Sequence, residues 1–315
     1  MNLDFRFGIV SDLHIALPHT ISNTPKRFHL VEVSIPALEK ALAHFETLDL
    51  NFLLIPGDLT QNGELDNHHW LQERLQSLPF PVYVIPGNHD VPYLASNNGS
   101  IAFTEFPSYY RNFGYRNTEK LYYTCEVLPG VQLIALNSNQ FDRNGNQLGC
   151  LDREQLKWLE ETLAEVGDKL VLVTIHHNVI EHIPGQSRHE LGKRYMLDNA
   201  IELLEILKTY GVKLIFSGHL HVQDLVEADG IYEITTGSLV SYPHPYRVVE
   251  FKTNNRQQQE LKINSYRVKN VPGWDDLAET SREVMGDRSY PFMLKLLTSH
   301  PVNLPIAQAE KLAPQ

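Results

Sequence analysis

The chain has 315 residues, of which 42% are hydrophobic and 21% charged, a mixture that excludes disordered and fibrous classes and leaves room for one large domain or two ordinary ones. Its 27 Lys and Arg against 38 Asp and Glu give a formal charge of −11, spread along the chain. That balance disfavours a nucleic-acid polymer or an anionic membrane as partner.

The opening MNLDFRFGIVSD runs straight into an apolar stretch, with no basic segment leading an apolar one, and no stretch approaches the length of a membrane span. With only Cys125 and Cys150, both read as small buried hydrophobes, a reducing cytoplasm is the expected compartment. Residues 5–10 (FRFGIV) predict the first buried strand. A helix follows over about 35–45, with Pro36 in its first turn and Leu38, Leu42 and Phe45 on one face. Residues 51–56, 81–86 and 131–136 predict further strands buried on both faces. The next helix starts at an Asp152 N-cap, has Gln155 at the capping-box position and buries Leu156, Leu159 and Leu163. Strand 169–175, a helix over about 195–210 and strand 212–217 complete the alternation, which implies an α/β fold with covered sheets. The later runs GIYEITTGSL, YRVVEFKT and QELKINSYRV are separated only by turns and predict an antiparallel meander or hairpin. From Pro272 onward the pattern becomes helical, with Trp274, Tyr290, Phe292, Leu296 and Leu297 as its apolar residues. The division is thus a domain over 1–268 and an extension over 269–315, expected to pack on the core, close over the site, or join subunits of a homo-oligomer.

Chemistry gathers where the buried strands end. The successive strand ends read Ser11-Asp12-Leu13-His14, Gly57-Asp58-Leu59-Thr60, Gly87-Asn88-His89-Asp90, His176-His177-Asn178 and Gly218-His219-Leu220-His221. Five strands deliver potential ligands to one sheet edge, where α/β proteins build their sites. Asp12 with His14, and His219 with His221, are spaced two apart and would face one way on extended backbone. Gly57, Gly87 and Gly218 each precede a ligand and would let the chain turn close to an ion. Carboxylate, imidazole and amide oxygen without thiolate suit Mn²⁺, Fe or Zn²⁺ rather than an all-oxygen Ca²⁺ or Mg²⁺ cage. The set Asp12, His14, Asp58, Asn88, His176, His219 and His221 is too large for one tetrahedral ion and suffices for two if Asp58 bridges them. His176 is preferred to His177 because it stands first after its strand. His68, His69, His244 and His300 read as structural, and Glu64 and Asp66 as solvated or helix N-terminal charges.

The ordered set DxH, GD, GNHD, H and GHLH resembles the signature of the calcineurin-like metallophosphoesterases. GNHD, GHLH and TTGSLVSYPHPYRVVEF are most similar to the class III cyclic-nucleotide phosphodiesterase branch, over roughly residues 5–250. The resemblance implies a four-layer α/β/β/α sandwich. It implies a first metal on Asp12, His14, Asp58 and His221, and a second on Asp58, Asn88, His176 and His219. It makes His89 the non-ligating catalytic acid and Asp90 its orienting partner. The implied function is hydrolysis of a small phosphodiester, a cyclic nucleotide being the first candidate, by a hydroxide that bridges two metals. A phosphomonoesterase, a nuclease and a catalytically silent scaffold are the alternatives, the last disfavoured because every ligand is present. Asn137 and Asn178 depart from the Asp and Pro that relatives often carry. Loops 15–30, 91–117 and 178–195 are long enough to be lids or recognition loops, and offer Arg27, His29, Tyr93, Arg111, His182, Arg188 and His189.

Overall fold

A computed structural model describes residues 2–21, 27, 29–97, 99–254, 256, 258–299 and 302–312, without the side chain of Phe292. His300 and residues 22–26 and 28 of the first long loop lie outside the described residues.

The apolar runs assemble into two facing sheets. One has the strand order Gln259–Arg267, Pro245–Thr253, Asp4–Ile9, Phe52–Ile55, Val82–Val84, the last three parallel and the first two antiparallel. The other has the order Asp224–Ala228, Ile231–Thr235, Leu214–Ser217, Leu170–Thr174, Val131–Ala135, Tyr123–Leu128, with four parallel central strands and antiparallel edges. Strand side chains alternate between faces, so Leu133, Leu172 and Phe216 join the core shared with the first sheet. Ile134, Val173 and Ile215 instead meet the helices Arg153–Glu165 and Ala200–Thr209. Phe7 and Phe216 meet edge-on between the sheets, their ring centroids 5.4 Å apart. The helices Ser34–Glu46 and Leu65–Gln76 cover the other outer face through Leu38, Leu42, Phe45, Leu71 and Leu75. This is the expected α/β/β/α sandwich.

Asp152 caps its helix as expected, its Oδ1 accepting from Gln155 N at 2.8 Å. The helix expected from residue 195 begins at Ala200, because residues 195–197 pair with Asn178 instead: Asn178 N donates to Tyr195 O and Leu197 N to Asn178 O. The expected meander is divided between the sheets. Ile231–Thr235 runs parallel to Leu214–Ser217, and only the last two strands form a hairpin, which continues onto Asp4–Ile9. Of the long loop 91–117, the part over 106–115 is not a free lid, since Phe106, Tyr110 and Tyr115 are fully buried. Cys125 and Cys150 are unpaired and half-buried rather than buried.

The C-terminal helix Leu277–Thr298 rests on its own chain. Leu277 and Ser281 are buried, Val284 packs against the core, and the helix Ile306–Leu312 contacts it with Ala309 buried. Among the described residues no helix is long and apolar enough to cross a membrane.

Candidate metal centre

The strand ends do not continue as extended chain. Asp12, His14, Asp58, His219 and His221 all have left-handed backbone, with φ of 50°, 43°, 51°, 65° and 59°. Such φ values cost a non-glycine residue about 1–3 kcal/mol and persist where the surroundings over-determine them. The two ligands of each H- or D-x-H pair therefore converge through left-handed turns, not through the strand alternation that their spacing suggested. Neighbouring turns hold one another: Asp12 N donates to Gly57 O (3.2 Å), His14 N to Asp58 O (2.9 Å) and Ile15 N to Leu59 O (2.9 Å). The glycines answer to crowding. A Cβ on Gly87 would lie 2.2 Å from both N and Oδ1 of Asp58, and one on Gly218 would lie 2.5 Å from Asp12 Oδ2. Gly57 combines a φ of 93° with a Cβ position 2.5 Å from His176 Nδ1.

These turns gather two donor sets that share one carboxylate. Asp12, His14, Asp58 and His221 form one, and Asp58, His176 and His219 the other. In the first, His14 Nε2 lies 3.2 Å from His221 Nε2 and 3.6 Å from Asp58 Oδ2, and His221 Nε2 lies 3.3 Å from Asp12 Oδ1. In the second, His176 Nε2 lies 3.4 Å from Asp58 Oδ1, 3.1 Å from His219 Nδ1 and 3.2 Å from Asn88 Oδ1. Donors about 2.1 Å from a common ion and 90–109° apart would be separated by about 3.0–3.4 Å, so both sets fit a metal. All seven residues expected as ligands are brought together, with Asp58 between the sets. Outer contacts orient the rings: His176 Nδ1 faces Pro56 O at 2.8 Å and His221 Nδ1 faces Ser241 Oγ at 3.2 Å.

The electrostatics suit cations. Burial, reinforced by neighbouring imidazoles, holds His14 and His219 well below the usual histidine range, and the neutral imidazole is the form that binds metal. Burial works against a charged His176, yet the Asp58 and Asp12 carboxylates beside it raise it to about 9. The same negative field would hold an ion.

His89 and Asp90 part company. His89 N donates to Asp58 Oδ1 (2.9 Å), and its Nδ1 meets Gln61 O at 2.7 Å. Asp90 was expected to orient His89, but its carboxylate makes its hydrogen bonds elsewhere. It turns inward and accepts from Gly87 N (2.8 Å), Leu59 N (3.0 Å), Thr60 N (2.8 Å) and Thr60 Oγ1 (3.0 Å). Burial and the nearby Asp58 push it up to about 7 against those donors. Asp90 thus ties the two turns that carry Asp58 and Asn88. The carbonyl of Gln61 takes the orienting place beside His89.

His177 lies outside both donor sets, with Nδ1 2.8 Å from Ser138 Oγ. His68 and His244 are structural as expected, meeting Tyr110 OH and Leu239 O. Asn178 is buried and donates toward Ser217 Oγ and Glu233 Oε1 (both 3.2 Å), and Asn137 brackets Asn139 through its side chain. His29, from the long loop 15–30, reaches the centre. Its ring stacks on His14 with centroids 4.2 Å apart. The centre opens into a pocket of about 620 Å³ lined by His29, Asn88, His89, His177, His219 and His221, with Lys193, Arg194 and Met285 at its walls.

A four-layer sandwich whose strand ends hold two donor sets around one carboxylate defines a class, the hydrolases built on a dinuclear metal centre. The family model of the calcineurin-like phosphoesterases matches residues 5–223, and the chain belongs to that family of metal-dependent phosphoric ester hydrolases. It is 28% identical over 218 residues to a probable glycerophosphodiester phosphodiesterase GpdQ of Arcobacter nitrofigilis, across 67% of this chain and 70% of that one. It is 25% identical over 236 residues to the 3′,5′-cyclic adenosine monophosphate phosphodiesterase CpdA of Haemophilus influenzae, across 74% and 71%. In fold it resembles a dimetal phosphatase from Danio rerio, with a TM-score of 0.56 at 15% identity over 82% of this chain and 98% of that one.

Proposed function

We propose that the protein hydrolyses small phosphodiesters, with cyclic nucleotides the first candidates, on two ions of Mn²⁺, Fe or Zn²⁺. The observation that carries the reading is the pair of donor sets sharing Asp58, with His89 alongside at the pocket. When bound, the ions would lower the pKa of a water and neutralise charge on the phosphoryl group. Asp12, His14, Asp58 and His221 would hold one, and Asp58, Asn88, His176 and His219 the other. A carbonyl oxygen only accepts, so Gln61 O fixes the proton of His89 on Nδ1. That leaves Nε2 to donate to the leaving alkoxide when His89 is protonated. Lys193 and Arg194 add positive charge at the wall of the pocket, in a protein of net charge −11, which supports an anionic substrate. The names of the relatives support a diester over a monoester. Two unpaired thiols, with burial pushing that of Cys125 up to about 12, are in keeping with a reducing cytoplasm.

The test is turnover of bis(p-nitrophenyl) phosphate, p-nitrophenyl phosphate and 2′,3′- and 3′,5′-cyclic AMP by protein stripped of metal and reloaded with Mn²⁺. Diester turnover should depend on the metal and fall by about 10²–10⁴ in His89→Ala with metal content unchanged. A preference for the monoester, or a His89→Ala variant at full rate, would contradict the reading.

A further inference from the structure

His29 and the C-terminal helix belong to neither donor set, yet they meet at the pocket. Arg288, on the helix Leu277–Thr298, donates from one terminal nitrogen to the backbone oxygens of Arg27 (2.9 Å) and His29 (3.4 Å). One turn earlier Met285 lines the pocket, and its sulfur lies 3.0 Å from Tyr242 N. A turn before that, Ser281 is fully buried and anchors the helix to the domain. The helix therefore holds the backbone oxygens of Arg27 and His29.

The ring of His29 lies among the histidines of the centre. It stacks on His14 at 4.2 Å and 18° and stands edge-on to His89 at 6.0 Å, and both His29 and His89 line the pocket. A nitrogen of His29 lies within 4.8 Å of nitrogens of His14 and His221. Proximity alone would suggest a further metal ligand, but the stacking argues otherwise. The lone pairs of an imidazole lie in its plane, and two nearly parallel rings about 4 Å apart cannot both direct one at an ion about 2.1 Å away. His14 has the better claim, because it already converges with Asp12, Asp58 and His221. His29 is left beside the first donor set with its ring at the pocket, where it can meet a group bound there.

We propose that His29 hydrogen-bonds the phosphoryl group on the side of the first donor set, and that Arg288 is the positioning residue that seats it. This rests on the phosphodiesterase reading and makes the C-terminal helix a working part of the site.

The experiment compares wild type, His29→Ala, Arg288→Ala and the double variant. Mn²⁺ is titrated calorimetrically into stripped protein, inorganic phosphate into Mn²⁺-loaded protein, and thermal unfolding is recorded for each. Losing a hydrogen bond to a charged group should weaken phosphate binding about 10- to 100-fold in His29→Ala. Arg288→Ala should show much of that loss, and the double variant no more than His29→Ala alone, since both act through one contact. Mn²⁺ stoichiometry and affinity should stay at wild-type values. Unchanged phosphate affinity, additive losses, or weakened Mn²⁺ binding in His29→Ala would overturn the proposal. Should Arg288→Ala unfold, Arg288→Met takes its place: it keeps the apolar stem but has no nitrogen to donate to Arg27 O and His29 O, and is expected to lose phosphate affinity. Wild type that binds Mn²⁺ and phosphate but cleaves no diester would overturn the phosphodiesterase reading while leaving the His29 test standing.

Discussion

Gly87 shows at the scale of one residue why the motif is spelled as it is. A Cβ there would meet the Asp58 backbone and carboxylate, so even a methyl group would have to displace the carboxylate common to both donor sets. Gly87→Ala should therefore cost bound metal before it costs the fold. Metal analysis after Mn²⁺ loading should find fewer than two ions per chain, whereas two ions at full affinity would refute the crowding argument. The seven candidate ligands were legible because each is a polar residue within a few positions of the end of an apolar run, a placement with few structural excuses. Asp90 was legible as important but not in its role: adjacency to His89 suggested contact, while the chain sends one side chain to the pocket and the other inward to backbone N–H groups. His29 carried no signal of its own, because it stands well beyond His14 in a loop without periodicity, and only the folded chain stacks the two rings.

Glu233 does at the scale of an element what no strand pattern reveals. Fully buried on the strand Ile231–Thr235, it accepts from Val179 N (3.0 Å), Ile180 N (2.6 Å), Ser217 Oγ (2.6 Å) and Asn178 Nδ2 (3.2 Å). It thereby fixes the loop that follows His176. His182, buried beside it, bridges toward Asp224 at 3.1 Å. Glu233→Ala would orphan these donors and should cost at least ~3 kcal/mol in urea denaturation; a loss under 1 kcal/mol would show that the loop is held by other means. The helix Leu65–Gln76 escaped the sequence reading because its buried face is partly polar, with Asn67 and His68 beside Leu71 and Leu75. His68 gives that helix a pH signature. Burial lowers it from 6.5 to about 3, so between those values the unfolded chain binds a proton that the folded chain refuses. Stability then rises with pH across that window and is lost as pH falls through it, by up to about 1.4 kcal/mol per pH unit. His68→Phe should flatten the pH dependence of unfolding free energy between pH 6 and 4 by close to one proton, and an unchanged slope would contradict the neutral buried ring.

The whole molecule is a scaffold that brings strand ends from both sheets to one edge. The α/β class, the strand order along the chain and the position of the site followed from alternation and from what stands at each strand end. Which sheet each strand joins did not follow, because a run buried on both faces has the same pattern in either sheet, as Phe52–Ile55 in one and Leu214–Ser217 in the other show. The expectation at this scale is that two ions share Asp58 and that hydrolysis needs both. It is tested most directly by titrating Mn²⁺ into stripped wild type and Asp58→Asn while following turnover of bis(p-nitrophenyl) phosphate. Wild type should bind two ions and gain activity only as the second is filled, and Asp58→Asn should bind at most one and stay inactive. Full activity with a single ion, or two tightly held ions in active Asp58→Asn, would contradict the account.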